Sequence, residues 1–341
     1  MIDVQLVDFK SNFSYPQNLS TEKTVDTFPY PDTPPSQTMK YSLPILGFFL
    51  LLSCSPVFAQ TLELRLNPEE DAIQVFQQAN PQPVLTQNAK ADFRPYLHPI
   101  VAPDGKGVLT QYSPGHHKHQ TGLYWGFTRV NGRDYFHHPK GDYWKRVSLN
   151  IIKKESNGQN GAVQWQTVYN LLDANGNPSL RETQDWTLAL NSGMYFLDLV
   201  WSGKANTDVK IGEYPYGGLF LRMPWTPKTE GQAMNSALQK NRLAEGQRAR
   251  WTDVGMGIPG RDDKAHITIF DHPENPNFPN AWRVDGQLGI GPAPSRLGDL
   301  RIKKGETLVY RHRLVVHTGK LNPNKINEIW SQYTGQKPAN R

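Results

Sequence analysis

Three consecutive segments between residues 162 and 201, in which apolar and polar residues alternate, constrain the fold of this chain most strongly. Alternation with a period of two places every second side chain on the same face of a β-strand. Turn-forming residues separate the segments, at positions 173–178 and 191–193. Such a pattern predicts an antiparallel meander with one buried face. The segments are residues 162–169, 182–190 and 194–201.

The rest of the chain carries more signals for strands than for helices. One helix is predicted over residues 324–333, where apolar residues recur on one helical face and Asn322-Pro323 is a start signal. A short helix is also compatible with residues 69–78, and residues 232–250 are interpreted as a long loop. Further strands are predicted at residues 61–66, 218–223, 266–270 and 307–317.

The amino terminus indicates export. Residues 39–59 contain a basic start, an apolar core and small residues before Gln60, the three parts of a secretory signal. The apolar run is too short for a transmembrane helix, which needs about 20 residues. Residues 1–38 are polar and Pro-rich, so we interpret them as a disordered leader or a mis-assigned start. The expected location is periplasmic or extracellular, and lipid anchoring at Cys54 is the alternative route.

No break in composition divides residues 60–341, which predicts a single antiparallel β-sandwich domain. The net charge is +6, but lysines and arginines are scattered among acidic and aromatic residues. A nucleic-acid-binding protein would concentrate them in a patch, so we expect no nucleic-acid partner. The single cysteine, Cys54, excludes an internal disulfide and a cysteine-based zinc site. A divalent metal ion, if one is bound, must be held by histidines and carboxylates.

The densest group of chemically versatile residues is His116, His117 and His119. A neutral imidazole binds metals and transfers protons near pH 7. If the segment is a strand, His117 and His119 project from the same face. They are therefore the candidate metal ligands and candidate catalytic groups, although a polar loop with locally satisfied histidines is the alternative. The sequence also contains His137 and His138, which alone are a weaker signal.

Two carboxylates are candidates for the complementary acid or base, Glu213 and Asp253. A reaction that uses general acid–base catalysis needs two groups with different pKa values. An inward-facing Arg222 would need an anionic partner, either Glu213 or a substrate carboxylate. The remaining candidates for substrate binding are Tyr124, Trp125, Trp282, His98 and His272.

Several blocks, taken together and in this order, resemble a secreted bacterial family labelled PmoA. The resemblance covers nearly all of residues 90–335 and implies the galactose-mutarotase-like supersandwich, an all-β fold that is common among sugar epimerases, lyases and glycoside hydrolases. The label itself implies a methane oxygenase. The blocks are Arg94-Pro-Tyr with His98-Pro99, residues 116–126 with 130–132, residues 216–222, residues 251–253 and residues 271–276.

The sequence thus favours a secreted carbohydrate-active protein, and more specifically an enzyme that acts on a glycoside as a lyase, hydrolase or epimerase. Its histidine cluster would work with a carboxylate and, in one version, with a divalent metal ion. The alternatives are a glycan-binding module without catalysis and a metal-dependent oxygenase. The last of these would need a redox metal held by two histidines and a carboxylate.

Overall fold

The computed structural model describes residues 61–78, 80–115, 117–156 and 161–337. The predicted leader at residues 1–38, the predicted signal at 39–59, Cys54 and His116 lie outside the described residues. No helix in the described part of the chain has both the length and the apolar character needed to cross a membrane.

The first of two large antiparallel sheets contains eight strands in the order β1-β2-β3-β4-β5-β11-β16-β15. Its amino-terminal strands follow one another along the chain, and the later strands complete its other edge. The strands are β1 (Leu62–Asn67), β2 (Ala72–Gln77), β3 (Leu85–Asn88), β4 (Tyr96–Ile100), β5 (Leu123–Gly126), β11 (Gly218–Leu221), β15 (Trp282–Val284) and β16 (Ile290–Pro292).

The second large sheet has eight strands in the order β12-β13-β14-β18-β9-β8-β7-β6. The predicted meander is confirmed, because β7, β8 and β9 pair in sequence with antiparallel register. The strands are β6 (Trp144–Lys153), β7 (Ala162–Leu172), β8 (Pro178–Asn191), β9 (Met194–Ala205), β12 (Gly231–Asn235), β13 (Trp251–Gly257), β14 (Lys264–Asp271) and β18 (Thr307–Thr318), and a two-stranded sheet joins β10 (Val209–Ile211) to β17 (Leu300–Ile302).

The main hydrophobic core lies between the inner faces of the two large sheets. Trp125 from the first sheet stacks on Trp201 from the second, with ring centroids 4.5 Å apart. Each side chain is almost wholly buried, and burial of an aromatic of this size is a leading stabilising term. The outer face of each sheet consequently carries the residues that alternate with this core.

One helix, α1 (Pro323–Thr334), covers part of the outer face of the second sheet. Its start confirms the predicted signal, because the Asn322 side chain accepts hydrogen bonds from the N–H groups of Asn324 and Lys325. The helix packs three buried side chains against the sheet, those of Ile326, Ile329 and Trp330.

Two local predictions were wrong. Residues 69–78 form no helix, because a turn with Asp71 at positive φ leads into β2, where Ile73 and Val75 face the core. Residues 232–250 are not a continuous loop, since their first part belongs to β12 at the edge of the second sheet. In both cases pairing with a neighbouring strand outweighs the weak local signal.

Candidate functional site

The floor of the candidate site is the outer face of the first sheet. Tyr124 on β5 pairs with Tyr96 on β4 and with Phe220 on β11, so three aromatic rings lie side by side. These rings alternate along their strands with core residues such as Leu123, which places them on the face away from the core. Two loops pack over this aromatic floor, and each contributes histidines.

Arg94 fixes these two loops to each other. Its guanidinium is fully buried and lies over the Tyr124 ring, with Cζ 3.6 Å from the ring centroid. It donates to the carbonyl of His119 at 2.6 Å and to the carbonyl of Phe136 at 2.5 Å. Burial lowers the pKa of Arg94 to about 10, so the side chain stays charged at neutral pH. One buried cation thus determines where the two histidine-bearing loops meet.

Between the loops and the floor lies a small cleft that is partly open to solvent, which we call the histidine cleft. Its lining combines imidazole, aromatic and charged side chains, the mixture expected where a polar ligand is both stacked and hydrogen-bonded. The lining residues are His117, His119, Gln120, Phe136, His137, Tyr216, Phe220, Arg283 and Asp285.

His137 is held in one orientation by Asp134 and faces Tyr216. Its Nδ1 lies 2.7 Å from Asp134 Oδ2, and its Nε2 lies 3.2 Å from the Tyr216 hydroxyl. Because an ionised carboxylate only accepts, Nδ1 carries a proton, and in the corresponding neutral tautomer Nε2 is an acceptor. Burial would raise the pKa of Asp134, but hydrogen bonds from the His137 ring and backbone lower it overall. Burial and the nearby Tyr214 hydroxyl raise the pKa of Tyr216, which therefore keeps its proton.

His119 lies at the centre of the cleft. Its ring centroid is 4.6 Å from that of His137 and 5.7 Å from that of His117. Burial, together with the neighbouring His137 and Arg94, lowers the pKa of His119 to about 3. His119 is therefore a neutral imidazole at physiological pH, able to accept or donate a hydrogen bond.

The opposite wall carries two arginines with carboxylate partners. Arg222 is buried and pairs with Asp285 at 2.5 Å, and its Nε donates to Gln120. Arg283 pairs with Glu245 at 2.9 Å, and the same carboxylate also holds Arg296. The carboxylates of this wall thus take part in internal ion pairs.

The structure brings His117 and His119 together in a loop and not on a strand, so the alternation argument for this pair does not apply. They lie in a tight loop in which the His117 N–H donates to the Pro114 carbonyl and Gln120 N–H donates to the His117 carbonyl. Pro114 and Gly115 interrupt any strand at this point. Among the described residues, no third histidine or acidic group completes a three-ligand metal set with this pair.

Two predicted aromatic contacts need correction. Trp125 cannot face the cleft, because it alternates with Tyr124 on β5 and stacks in the core. Trp282 is fully buried, and its indole N–H donates to the Ala249 carbonyl. The next residue on the strand, Arg283, lines the cleft instead. Tyr124 lies beneath the cleft as part of its floor.

The predicted partner of Arg222 also needs correction. Arg222 does face inward, but its anionic partner is Asp285 and not Glu213. Glu213 is exposed and lines a separate groove with Arg129, Tyr214 and Arg296. The correct partner lies 63 residues away along the chain, so no local pattern indicates it.

Three further candidates lie outside the lining of the histidine cleft. His98 lies on β4, where its Nδ1 is 2.9 Å from the Thr110 hydroxyl. His272 follows β14 and packs on Tyr333 at the end of α1. Asp253 lies on β13 with its side chain on the outer face of the second sheet, opposite to the core residues Val254 and Met256.

Asp253 belongs to a second cluster, formed with His266 and His317, which we call the Asp–His–His cluster. The carboxylate Oδ2 is 2.9 Å from His266 Nδ1, and Oδ1 is 3.8 Å from His317 Nε2. All three side chains are buried, and their ligand atoms lie within 4.8 Å of one another. A group of this composition could hold a metal ion. The expected combination of histidine with carboxylate therefore occurs at His266 and His317, and not at the predicted His117 and His119.

Sequence reasoning missed the main polar groups of the histidine cleft: Asp134, Tyr216 and the scaffold residue Arg94. The spacing of Asp134 and His137 is a usable signal, because an acidic residue three positions before a histidine can orient its ring in a turn. Nothing local links them to Tyr216, which is 79 residues from His137.

Residues 75–331 match DUF6807, a family of unknown function. The match covers most of the chain, and the protein therefore belongs to this family. The resemblance to the PmoA family was wrong, because the family match is to DUF6807 and nothing in it indicates PmoA. No curated protein of known function matches the chain.

Several solved structures are similar in fold. A galactose mutarotase-related enzyme from Lactobacillus acidophilus has 8% identity and a TM-score of 0.35, over 76% of this chain and 100% of that one. A Klebsiella pneumoniae protein named as an aldose 1-epimerase has 9% identity and a TM-score of 0.41, over 82% and 88%. An α-galactosidase from Geobacillus stearothermophilus has 11% identity and a TM-score of 0.37, over 77% and 41%.

The predicted fold class is confirmed by the strand order and pairing, because the chain forms two large antiparallel sheets packed on a common core. At these identities the likeness concerns the fold alone, and function has to be argued from the site.

Proposed function

We propose that this protein is a carbohydrate-active enzyme that transfers protons to and from a sugar bound in the histidine cleft. One observation carries the proposal: Asp134 orients His137 so that its Nε2 meets the Tyr216 hydroxyl inside a cleft. A base oriented by a carboxylate and placed beside a protonated hydroxyl is the arrangement that general acid–base catalysis requires.

The cleft suits a polyhydroxylated ring. Tyr216, which is partly exposed, offers a ring surface for the apolar face of a sugar, and the buried rings of Phe136 and Phe220 support it from below. The imidazoles and Arg283 offer hydrogen bonds to the hydroxyl groups of the sugar. The cleft is small and partly open to solvent, so we propose that a single sugar unit occupies it.

Each polar side chain has a distinct part in the proposal. His137 accepts a proton at Nε2 while Asp134 stabilises the imidazolium that forms. Tyr216 donates its phenolic proton to an oxygen of the sugar. His119, neutral because of its burial beside Arg94, contributes a hydrogen bond rather than a charge. Arg94 acts through the loops that it positions, and it is a positioning residue.

Among the three reaction types that the sequence leaves open, this cleft favours epimerisation or elimination over hydrolysis. Most glycoside hydrolases use two carboxylates on either side of the scissile bond. Of the residues that line the cleft in the described part of the chain, Asp285 is the one carboxylate, and it is paired with the buried Arg222. A histidine–tyrosine pair fits a reaction that moves a proton without a carboxylate nucleophile.

The test is a screen of glycosides and their oxidised keto forms, scored by NMR for elimination products and changes of configuration. For any sugar that is converted, we expect His137→Asn and Tyr216→Phe to lower kcat by about 10²–10⁴-fold, the usual contribution of one acid or base group. His138→Asn is the matched control, because the neighbouring ring stacks on Tyr143 outside the cleft lining.

Three results contradict the proposal: no sugar of the panel is converted, the two cleft variants keep full activity, or the control loses as much as they do. Binding of a sugar without conversion would identify the chain as a glycan-binding module instead.

A further inference from the structure

The outer face of the second sheet carries a site with a different design from the histidine cleft. β13, β14 and β18 are neighbours there, and His266 lies directly opposite His317. Asp253 lies opposite Thr268, two positions along β14 from His266. Side chains at such directly opposed or diagonal positions on one face of a sheet are in reach of one another.

The geometry directs three ligand atoms towards one point. The two imidazole rings are nearly parallel, with centroids 4.8 Å apart and an interplanar angle of 5°. His266 Nδ1 forms a hydrogen bond with one oxygen of Asp253, while His317 Nε2 faces the other oxygen at 3.8 Å. That nitrogen is buried and has no hydrogen-bond partner among the described residues. A buried nitrogen of this kind carries a free-energy penalty unless something else satisfies it.

The buried carboxylate of Asp253 also needs a compensating partner. The Asp253 carboxylate lies between the two imidazoles, with one oxygen 2.9 Å from His266 Nδ1 and the other 3.8 Å from His317 Nε2. In the described part of the chain, its ion-pair partners are these two imidazoles, with no lysine or arginine. An ionised carboxylate that is 1% exposed is costly without a compensating cation.

Two surrounding residues are suited to support a bound ion. The Thr268 hydroxyl donates to Asp253 Oδ1 at 2.7 Å, a contact that orients the carboxylate as outer hydrogen bonds orient metal ligands. Gly255 is paired with His266, and a side chain there would overlap the imidazole ring. The absence of a side chain at position 255 thus makes room for the ring beside the carboxylate.

We propose that the Asp–His–His cluster binds one divalent first-row transition-metal ion. Two imidazole nitrogens and a carboxylate oxygen suit Zn²⁺, Co²⁺ or Fe²⁺, whereas Ca²⁺ and Mg²⁺ prefer sites built from oxygen alone. The ion would satisfy His317 Nε2, compensate the charge of Asp253 and cross-link three neighbouring strands. This site is independent of the proposed sugar chemistry, because the histidine cleft lies on the outer face of the other sheet.

The test is a titration of the untagged, chelator-treated protein with Co²⁺ alone, followed by visible absorption. We expect one Co²⁺ per chain, displacement by Zn²⁺, and a higher Tm when either ion is present, because a ligand that binds the folded state stabilises it. His266→Ala and His317→Ala should each weaken Co²⁺ binding at least about 10-fold. His119→Ala and His137→Asn, which alter the histidine cleft, should leave binding unchanged.

The wild-type measurement keeps the proposal falsifiable even if a cluster variant fails to fold. A wild-type protein that binds no Co²⁺ and gains no Tm with Co²⁺ or Zn²⁺ would overturn it. Unchanged binding in folded cluster variants, or loss of binding in the cleft variants instead, would also overturn it. None of these outcomes bears on conversion of a sugar, so the two proposals fail separately.

Discussion

The two histidine groups occupy opposite outer faces of the same sandwich and are built in opposite ways. In the histidine cleft, the loops that carry His119 and His137 are held over an aromatic floor by one buried cation, Arg94. In the Asp–His–His cluster, every side chain stands on a strand whose neighbours fix its position. Loops on a rigid scaffold can open a cleft to solvent, whereas side chains on paired strands enclose a point.

The two groups also differ in how they manage charge. The cleft keeps His119 neutral, because burial beside the charged Arg94 disfavours protonation of its ring. The cluster encloses the Asp253 carboxylate between two imidazoles. An open site with a neutral imidazole suits proton transfer, and a closed site around a carboxylate suits a cation.

The largest expected effect concerns Asp134. Asp134→Asn removes the acceptor that holds the proton on His137 Nδ1, so the ring can present its other tautomer to the substrate. We expect kcat on a converted sugar to fall about 10²–10³-fold, while Co²⁺ binding stays at the wild-type level. Steady-state kinetics measures the loss of kcat, and a Co²⁺ titration of the same preparation measures metal binding. Equal loss in both measurements would show that the two groups are not independent.

The second prediction tests the scaffold of the cleft. Arg94→Met leaves the carbonyls of His119 and Phe136 buried without a donor, and we expect a loss of about 3 kcal/mol in the free energy of unfolding. Urea denaturation measures it. Arg65→Met, at an exposed arginine on β1, is the control and should change stability by less than about 0.5 kcal/mol. Similar values for both variants would contradict the scaffold role of Arg94.

The third prediction concerns the room beside His266. A side chain introduced by Gly255→Ala would meet the imidazole ring, and we expect a loss of about 1–3 kcal/mol together with weaker Co²⁺ binding. Gly257→Ala on the same strand is matched, because its new methyl group would make only ordinary contacts. Unfolding in urea should separate the two variants. If the variants are equally stable, the ring does not need this space.

The smallest effect is a difference in pH dependence. The folded pKa of His119 lies below its unfolded value, so its contribution to stability is complete above about pH 6.5 and is lost as the pH falls. Between pH 6 and pH 4, the free energy of unfolding of His119→Gln should therefore fall less steeply than that of wild type, by about 0.5 kcal/mol per pH unit. This value is reduced for the partial solvent exposure of His119. The comparison with wild type is essential, because another group has the opposite effect on stability. Burial raises the pKa of Glu182 to about 7, so the stability that Glu182 contributes increases as the pH falls. Urea midpoints across this range provide the test, and parallel curves would contradict it.

The period-two pattern predicted the strands of the meander, because the alternation of each strand and the turn residues that end it are both local features of the sequence. The same rule excludes Tyr124 and Trp125 from a common face, although both had been assigned to the cleft. Strand periodicity shows which residues share a face but not which face is covered.

The pairs that build the two sites could not be predicted, since each joins residues that are distant along the chain. His137 meets Tyr216 across 79 residues, and Arg222 meets Asp285 across 63. His266 and His317 face each other only because β14 and β18 pair in one register. Long-range register depends on the packing of the whole sandwich, which no local window of sequence contains.

The central claim is that proton transfer takes place at His137 in the histidine cleft. Its most direct test is kcat/KM on a converted sugar for three proteins: wild type, His137→Asn and His317→Asn. The account predicts a loss of at least about 100-fold for His137→Asn and an effect within about threefold for His317→Asn. Full activity of His137→Asn, or a loss confined to His317→Asn, would contradict it.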